Sequence, residues 1–142
     1  MEMDLIFQLS SLLVMPFWFL MIFLPHWGWT KRIIGSIWVV VPAALLYAIL
    51  IVPIMPSAIG DLMNPTLGGI AALIGEPYGA TVAWIHFLAF DLFVGRWVYL
   101  DSREKNVTAW LASPSLFFTL MFGPFGLILY LVIRTLTTQR NS

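Results

Sequence analysis

Four apolar segments make up most of the chain, at residues 5–24, 33–54, 80–100 and 113–133. Each is close to the ~20 residues that an α-helix needs to cross ~30 Å of bilayer hydrocarbon. The composition agrees, because 61% of the 142 residues are hydrophobic and only 10% are charged, whereas about a quarter of the residues of a soluble domain are charged. The sequence therefore predicts a single all-α domain, residues 1–142, folded as a polytopic membrane protein with four transmembrane helices.

The charged residues are distributed unevenly between the connections. Residues 26–32 and 101–112 each contain two Lys or Arg, whereas residues 55–79 contain Asp61 and Glu76 and no basic residue. By the positive-inside rule we expect the first two connections on the cytoplasmic side, or the equivalent stromal side, of the membrane. An even number of spans then places both termini on the opposite side.

A short helix is predicted between the second and third spans. Asn64 is a favourable N-cap, Pro65 suits the first helical position and Gly75 suits the C-terminal end. The residues between them are apolar on most sides. We therefore expect this segment to lie in the membrane interface, either as a lid or as a simple connector.

The third predicted span contains three ionisable side chains, His86, Asp91 and Arg96. A charged group at bilayer depth costs roughly 2.5–3.5 kcal/mol, so such groups usually face protein and have partners. Successive members of this set are five residues apart and point about 140° apart around the helix. Because they cannot share one stripe, we expect protein to surround most of this helix, within the bundle or at an interface between copies.

Two tyrosines, Tyr47 and Tyr130, are predicted to reach the depth of His86 on the second and fourth spans. A histidine beside two phenols can donate and accept protons at a buried substrate. The alternative is a hydrogen-bonded network that only locks helix packing. The sequence contains no cluster of metal-ligand type, and a net charge of zero does not favour a nucleic-acid partner.

Short motifs in the third and fourth spans resemble those of the plant abscisic-acid-deficient-four family and its cyanobacterial relatives. They are Trp84-Ile85-His86, Asp91-Leu92, Arg96 and Gly123-Pro124-Phe125-Gly126. The plant members are plastid membrane proteins needed to make neoxanthin from violaxanthin, a rearrangement in which the polyene loses a proton and an epoxide ring opens. The short termini resemble those of a cyanobacterial member. The resemblance implies a location in a thylakoid or a cyanobacterial inner membrane.

Two functions follow from the resemblance. One is a membrane-embedded carotenoid isomerase of the neoxanthin synthase-like type, which uses intramembrane acid–base chemistry and no redox cofactor. The other is a non-catalytic carotenoid-binding accessory or assembly subunit of a photosynthetic membrane complex, and we expect a homo-oligomer or a complex in either case. The candidate acid–base residues are His86, Asp91, Arg96, Tyr47 and Tyr130. The candidate substrate-binding residues are Trp84, Phe87, Phe90, Trp97 and Pro124.

Overall fold

The computed structural model describes residues 2–140, which fold into seven α-helices. Three of these described helices, α1, α3 and α5, are long and apolar enough to cross a membrane. A 3₁₀ turn, Ile37–Val39, joins α2 to α3. The helices are α1 Glu2–Phe23, α2 Gly28–Gly35, α3 Val41–Met63, α4 Leu67–Gly75, α5 Pro77–Glu104, α6 Ala109–Phe122 and α7 Pro124–Arg140.

Helix α5 is the centre of the fold and contacts α1, α3, α4, α6 and α7. At its crossing with α1, the Trp18 ring lies so near Gly95 that a Cβ at residue 95 would overlap it. Trp18 is consequently buried. One face of α5 remains uncovered, because Phe87, Phe90 and Phe93 are about half exposed there. The expectation that protein surrounds most of α5 therefore holds for all but this face.

The predicted fourth span, residues 113–133, is not one helix. Helix α6 ends at Phe122, and Gly123 has a φ of 35° and a ψ of −92°. Helix α7 then runs back beside α6, so that Gly126 packs against the backbone of Thr119. A helical hairpin therefore replaces the predicted span. Its apolar composition matches that of a span, which is why apolar length alone did not distinguish the two.

The hairpin also changes which end of the bundle each terminal helix reaches. Because α7 runs back toward the end of α5, all seven Lys and Arg lie at one end of the bundle, which we call the basic end. They are Lys31, Arg32, Arg96, Arg103, Lys105, Arg134 and Arg140. Helix α1 begins at the opposite end. Residues 2 and 140 therefore lie at opposite ends of the bundle, whereas four full spans would bring them to the same end.

The other helices are confirmed with changed bounds: α3 continues to Met63, nine residues beyond the predicted end of the second span, and α5 extends the predicted span 80–100 at both ends, to Pro77 and Glu104. The predicted span 33–54 begins too early, because residues 33–35 belong to α2 and α3 starts at Val41. The predicted short helix is confirmed as α4, and its N-cap is Thr66, whose Oγ1 accepts a hydrogen bond from the Gly69 amide at 3.1 Å. Asn64 instead ends α3. The position of α4 in a membrane interface stays a prediction.

Candidate functional site

His86 of α5 and Tyr47 of α3 lie side by side at the border of the uncovered face of α5. Their ring centroids are 5.4 Å apart, with the rings inclined at 62°. The rings of Phe87 and Phe90 pack around the imidazole, at 6.1 Å and 4.9 Å. Neither the imidazole nor the Tyr47 hydroxyl makes a hydrogen bond to another residue within 2–140. Both groups are therefore available to a ligand.

This pair lies halfway along an apolar groove between α3 and α5. Two adjoining cavities, of about 240 and 230 Å³, form the groove, and Tyr47 and His86 line both. On α5 the groove extends from Gly79 to Phe93, about 21 Å at 1.5 Å per residue. We call it the His86 groove. Its remaining lining residues are Val40, Ala44, Ile51, Ile54, Ala58, Leu62, Leu73, Ile74, Val82, Ala83, Phe87, Ala89 and Phe90.

Asp91 lies in a second pocket, of about 220 Å³, between α5 and the α6–α7 hairpin. A Cβ at Gly123 would be 2.5 Å from its Oδ1, so the carboxyl group contacts the turn of the hairpin directly. It makes no hydrogen bond to any other residue that the structure describes. Trp84, Phe87 and Pro124 are among the lining residues. Phe87 therefore separates this Asp91 pocket from the His86 groove and lines both.

Arg96 is bound to the end of α2. Its Nε donates to the Ile34 carbonyl at 2.8 Å, and its Nη2 donates to the Gly35 carbonyl at 2.7 Å. The last carbonyls of a helix lack intrahelical donors and carry partial negative charge. Arg96 thus stabilises the end of α2 and its contact with α5, and the structure does not place it beside His86.

Tyr130 lies at the basic end, not beside His86. Its hydroxyl donates to Asp101 Oδ2 at 2.6 Å, and Arg134 Nε approaches the same oxygen at 2.7 Å. The Trp97 ring lies 5.8 Å from the Tyr130 ring. The expectation that Tyr130 reaches the depth of His86 is wrong, because α7 reverses at Gly123. Trp97, a predicted substrate-binding residue, packs in this same group.

Only some of the predicted site residues therefore lie near one another. Tyr47 and His86 meet, and Phe87 and Phe90 join them in the His86 groove. Trp84 and Pro124 line the Asp91 pocket instead, where the Trp84 indole donates to Ser11 Oγ at 3.0 Å. Sequence reasoning missed the Asp101–Arg134 pair, since the two residues are near in space only when α7 runs antiparallel to α6.

The similarity to known proteins extends over nearly the whole chain. A family model described as ABA DEFICIENT 4-like matches residues 5–130, from the first turns of α1 to Tyr130. The protein of Arabidopsis thaliana named Protein ABA DEFICIENT 4, chloroplastic, is 28% identical in an alignment of 141 positions that includes 95% of this chain. The chain spans 63% of the length of that relative. No solved structure matches the chain.

Proposed function

This chain belongs to the ABA DEFICIENT 4-like family, and from that premise we propose that it is a membrane-embedded carotenoid isomerase of the neoxanthin synthase-like type. His86 and Tyr47 carry its acid–base chemistry. The observation behind this proposal is that two proton-transferring side chains lie together, without hydrogen-bond partners in residues 2–140, halfway along an apolar groove. An intramembrane ionisable residue marks a functional site by default.

The chemistry needs one base and one acid near each other. For an epoxide end group, the base removes a proton from a polyene carbon and the C–H electron pair becomes a new C=C bond. The epoxide C–O bond breaks toward oxygen, and the acid protonates that oxygen. The product is an isomer of the substrate, so no oxidant or reductant is consumed. With ring centroids 5.4 Å apart, His86 and Tyr47 are placed to share these two proton transfers.

The shape of the groove suits a long conjugated hydrocarbon. It runs about 21 Å along α5 by the rise per residue, and the exposed rings of Phe87, Phe90 and Phe93 border it. Because the face is uncovered, a carotenoid can enter sideways from the bilayer. Its polyene then lies on aromatic rings that exclude water from the reacting carbon.

Asp91 provides a second polar group close to the same substrate. It lies five residues after His86, about 7.5 Å along the helix axis, and Phe87 lines both sites. We assign Asp91 to a polar end group of the substrate or to a second proton transfer. Arg96 and Tyr130 are bound to other parts of the protein, and we assign them structural roles.

The membrane arrangement is also part of the proposal. Helices α1, α3 and α5 cross the bilayer, and the α6–α7 hairpin enters from the basic end and returns to it. Such a hairpin is tolerated at membrane depth where it packs on protein, as α6 does on α1 and α5. The positive-inside rule orients the basic end toward the cytoplasm or stroma. A thylakoid or cyanobacterial inner membrane fits this arrangement.

The second candidate is a carotenoid-binding subunit without turnover. It is favoured by the open, aromatic border of the groove, which needs only complementary shape to hold a pigment. In that case the polar pair orients a bound ligand and performs no chemistry. Such a protein retains carotenoid without changing it.

Expression in two bacterial hosts separates the two candidates, one that accumulates violaxanthin, whose end groups are epoxides, and one that accumulates zeaxanthin, which has none. We expect a new isomer in the chromatogram with the wild type and none with His86→Ala. Trp38→Leu, an exposed residue outside the groove, is the matched control and keeps the product. Unchanged pigment that co-purifies with the protein supports the second candidate instead. If the protein neither converts nor retains a carotenoid, both candidates are wrong.

A further inference from the structure

A separate cleft of about 590 Å³ lies at the basic end, between the end of α1 and the start of α6. Its walls are apolar apart from His26 and Ser113, and the Ser113 hydroxyl already donates to the Ile22 carbonyl at 2.9 Å. The polar groups left at the cleft are therefore the His26 ring and the indole N–H of Trp110. The lining residues are Ile22, Phe23, Pro25, His26, Ala109, Trp110, Ser113, Pro114 and Phe117.

The partner of His26 determines what this ring can offer to a ligand. Arg103 Nη1 lies 3.0 Å from His26 Nδ1. A guanidinium has donors and no acceptor, so Nδ1 must accept this hydrogen bond. The proton of the neutral imidazole then sits on Nε2, on the other side of the ring. His26 consequently offers an N–H donor, supported from behind by a positive charge.

No carboxylate in the described part of the chain forms an ion pair with Arg103. Its other hydrogen bond goes to the Val107 carbonyl at 3.0 Å. Asp101, the carboxylate that does form an ion pair within residues 2–140, is bound to Arg134. All seven Lys and Arg lie at this end, together with the carboxylates of Asp101 and Glu104. Because the cations are in excess, the electrostatic potential at the mouth of the cleft favours an anion.

An anion bound beside an apolar cleft is the chemistry of an anionic lipid. A free anion gains nothing from walls such as Phe23 and Phe117, whereas an acyl chain does. Trp110 is 90% exposed at the cleft, as is usual for tryptophans at the membrane interface. Basic pockets between membrane helices are known to hold lipid headgroups.

We propose that this cleft binds one anionic phospholipid, with its phosphate at His26 Nε2, where the charge of Arg103 behind the ring favours an anion, and an acyl chain between α1 and α6. The site is distinct from the His86 groove and does not depend on the proposed isomerase activity. A lipid held here contacts both α1 and the α6–α7 hairpin, which begins and ends at the basic end. It therefore links the hairpin to the rest of the protein. A ligand that binds only the folded state stabilises that state by RT ln(1 + [L]/Kd), so the stabilisation grows with the logarithm of the lipid concentration once the site is mostly filled.

The test measures thermal unfolding in detergent and lipid retention by native mass spectrometry, with phosphatidylglycerol, phosphatidylcholine or inorganic phosphate added. We expect phosphatidylglycerol alone to raise Tm and to remain bound as one copy. His26→Ala weakens binding about tenfold, whereas Lys31→Ala, which removes a charge at the same end outside the cleft, leaves binding within about twofold.

His26→Ala also removes a hydrogen bond from Arg103, so a second variant is needed that leaves this bond in place. Ala109→Phe fills the apolar part of the cleft and leaves His26 and Arg103 unchanged, so it also reduces lipid retention. Equal stabilisation by phosphatidylcholine, or full binding in both cleft variants, overturns the proposal. Stabilisation by inorganic phosphate to the same extent shows a free-anion site and overturns it as well.

Discussion

Asp91 and Gly123 fit against each other at the point where the α6–α7 hairpin turns. A Cβ at residue 123 would lie 2.5 Å from Asp91 Oδ1, and the φ of 35° at Gly123 is one that other residues rarely adopt. The same glycine therefore reverses the chain and makes room for the carboxyl group. This contact sets the depth of the turn along α5, about 15 Å from Asp101 at the helical rise per residue.

Gly123→Ala is expected to destabilise the protein for two reasons. The methyl group collides with Asp91, and a positive φ strains any residue with a side chain, at about 1–3 kcal/mol. Unfolding in lipid nanodiscs measures the loss. Gly68→Ala, where a Cβ meets nothing within 4 Å, is the control and should not lower stability. Adding Asp91→Ala to Gly123→Ala should recover part of the loss, and no recovery would show that the contact does not matter.

Removing the hydroxyl should lower stability at Tyr130 and lower isomer formation at Tyr47. Tyr130→Phe removes a hydrogen bond to the Asp101 carboxylate, so we expect a loss of about 1.5–3 kcal/mol in the free energy of unfolding. Tyr47→Phe removes no hydrogen bond within residues 2–140, so stability should be unchanged while isomer formation falls. Unfolding and product chromatography on both variants check this. The reverse pattern would contradict our division of the site.

Arg96→Lys should loosen α2 without altering the His86 groove. A lysine cannot donate two hydrogen bonds in the geometry with which Arg96 reaches the carbonyls of Ile34 and Gly35. Hydrogen–deuterium exchange should therefore become faster in residues 28–35, with carotenoid conversion retained. Arg32→Lys, whose guanidinium stacks on Trp29 at the surface, is the control and should leave this exchange nearly unchanged. Lost conversion at a normal folded fraction would restore Arg96 as a catalytic candidate.

The hairpin arrangement places residues 105 and 140 on the same side of the membrane, whereas four spans would place them on opposite sides. The sequence contains no cysteine, so single cysteines report accessibility without background. Lys105→Cys and Arg140→Cys should be labelled by a membrane-impermeant maleimide from the same side, and Asp61→Cys from the other. Labelling of residues 105 and 140 from opposite sides would refute the hairpin arrangement.

Apolar length predicted α1, α3 and α5 because an uninterrupted apolar run of about twenty residues has few alternatives in a bilayer. The meeting of Tyr47 and His86 could be predicted for the same reason, since the depth of a residue in a straight span follows from its distance to the span's end. The position of Tyr130 could not, because it depends on a reversal at one glycine within an apolar stretch. The roles of Arg96 and Asp101 depend on that packing as well.

The most direct test of the central claim uses purified protein in nanodiscs and a single added carotenoid, with its isomers resolved by chromatography over time. We predict that the wild type forms an isomeric product. With His86→Ala the rate of product formation should fall at least about 100-fold. With the surface variant Trp38→Leu the rate should be unchanged. An equal rate with His86→Ala, in protein that remains folded, would contradict the assignment of acid–base chemistry to this groove.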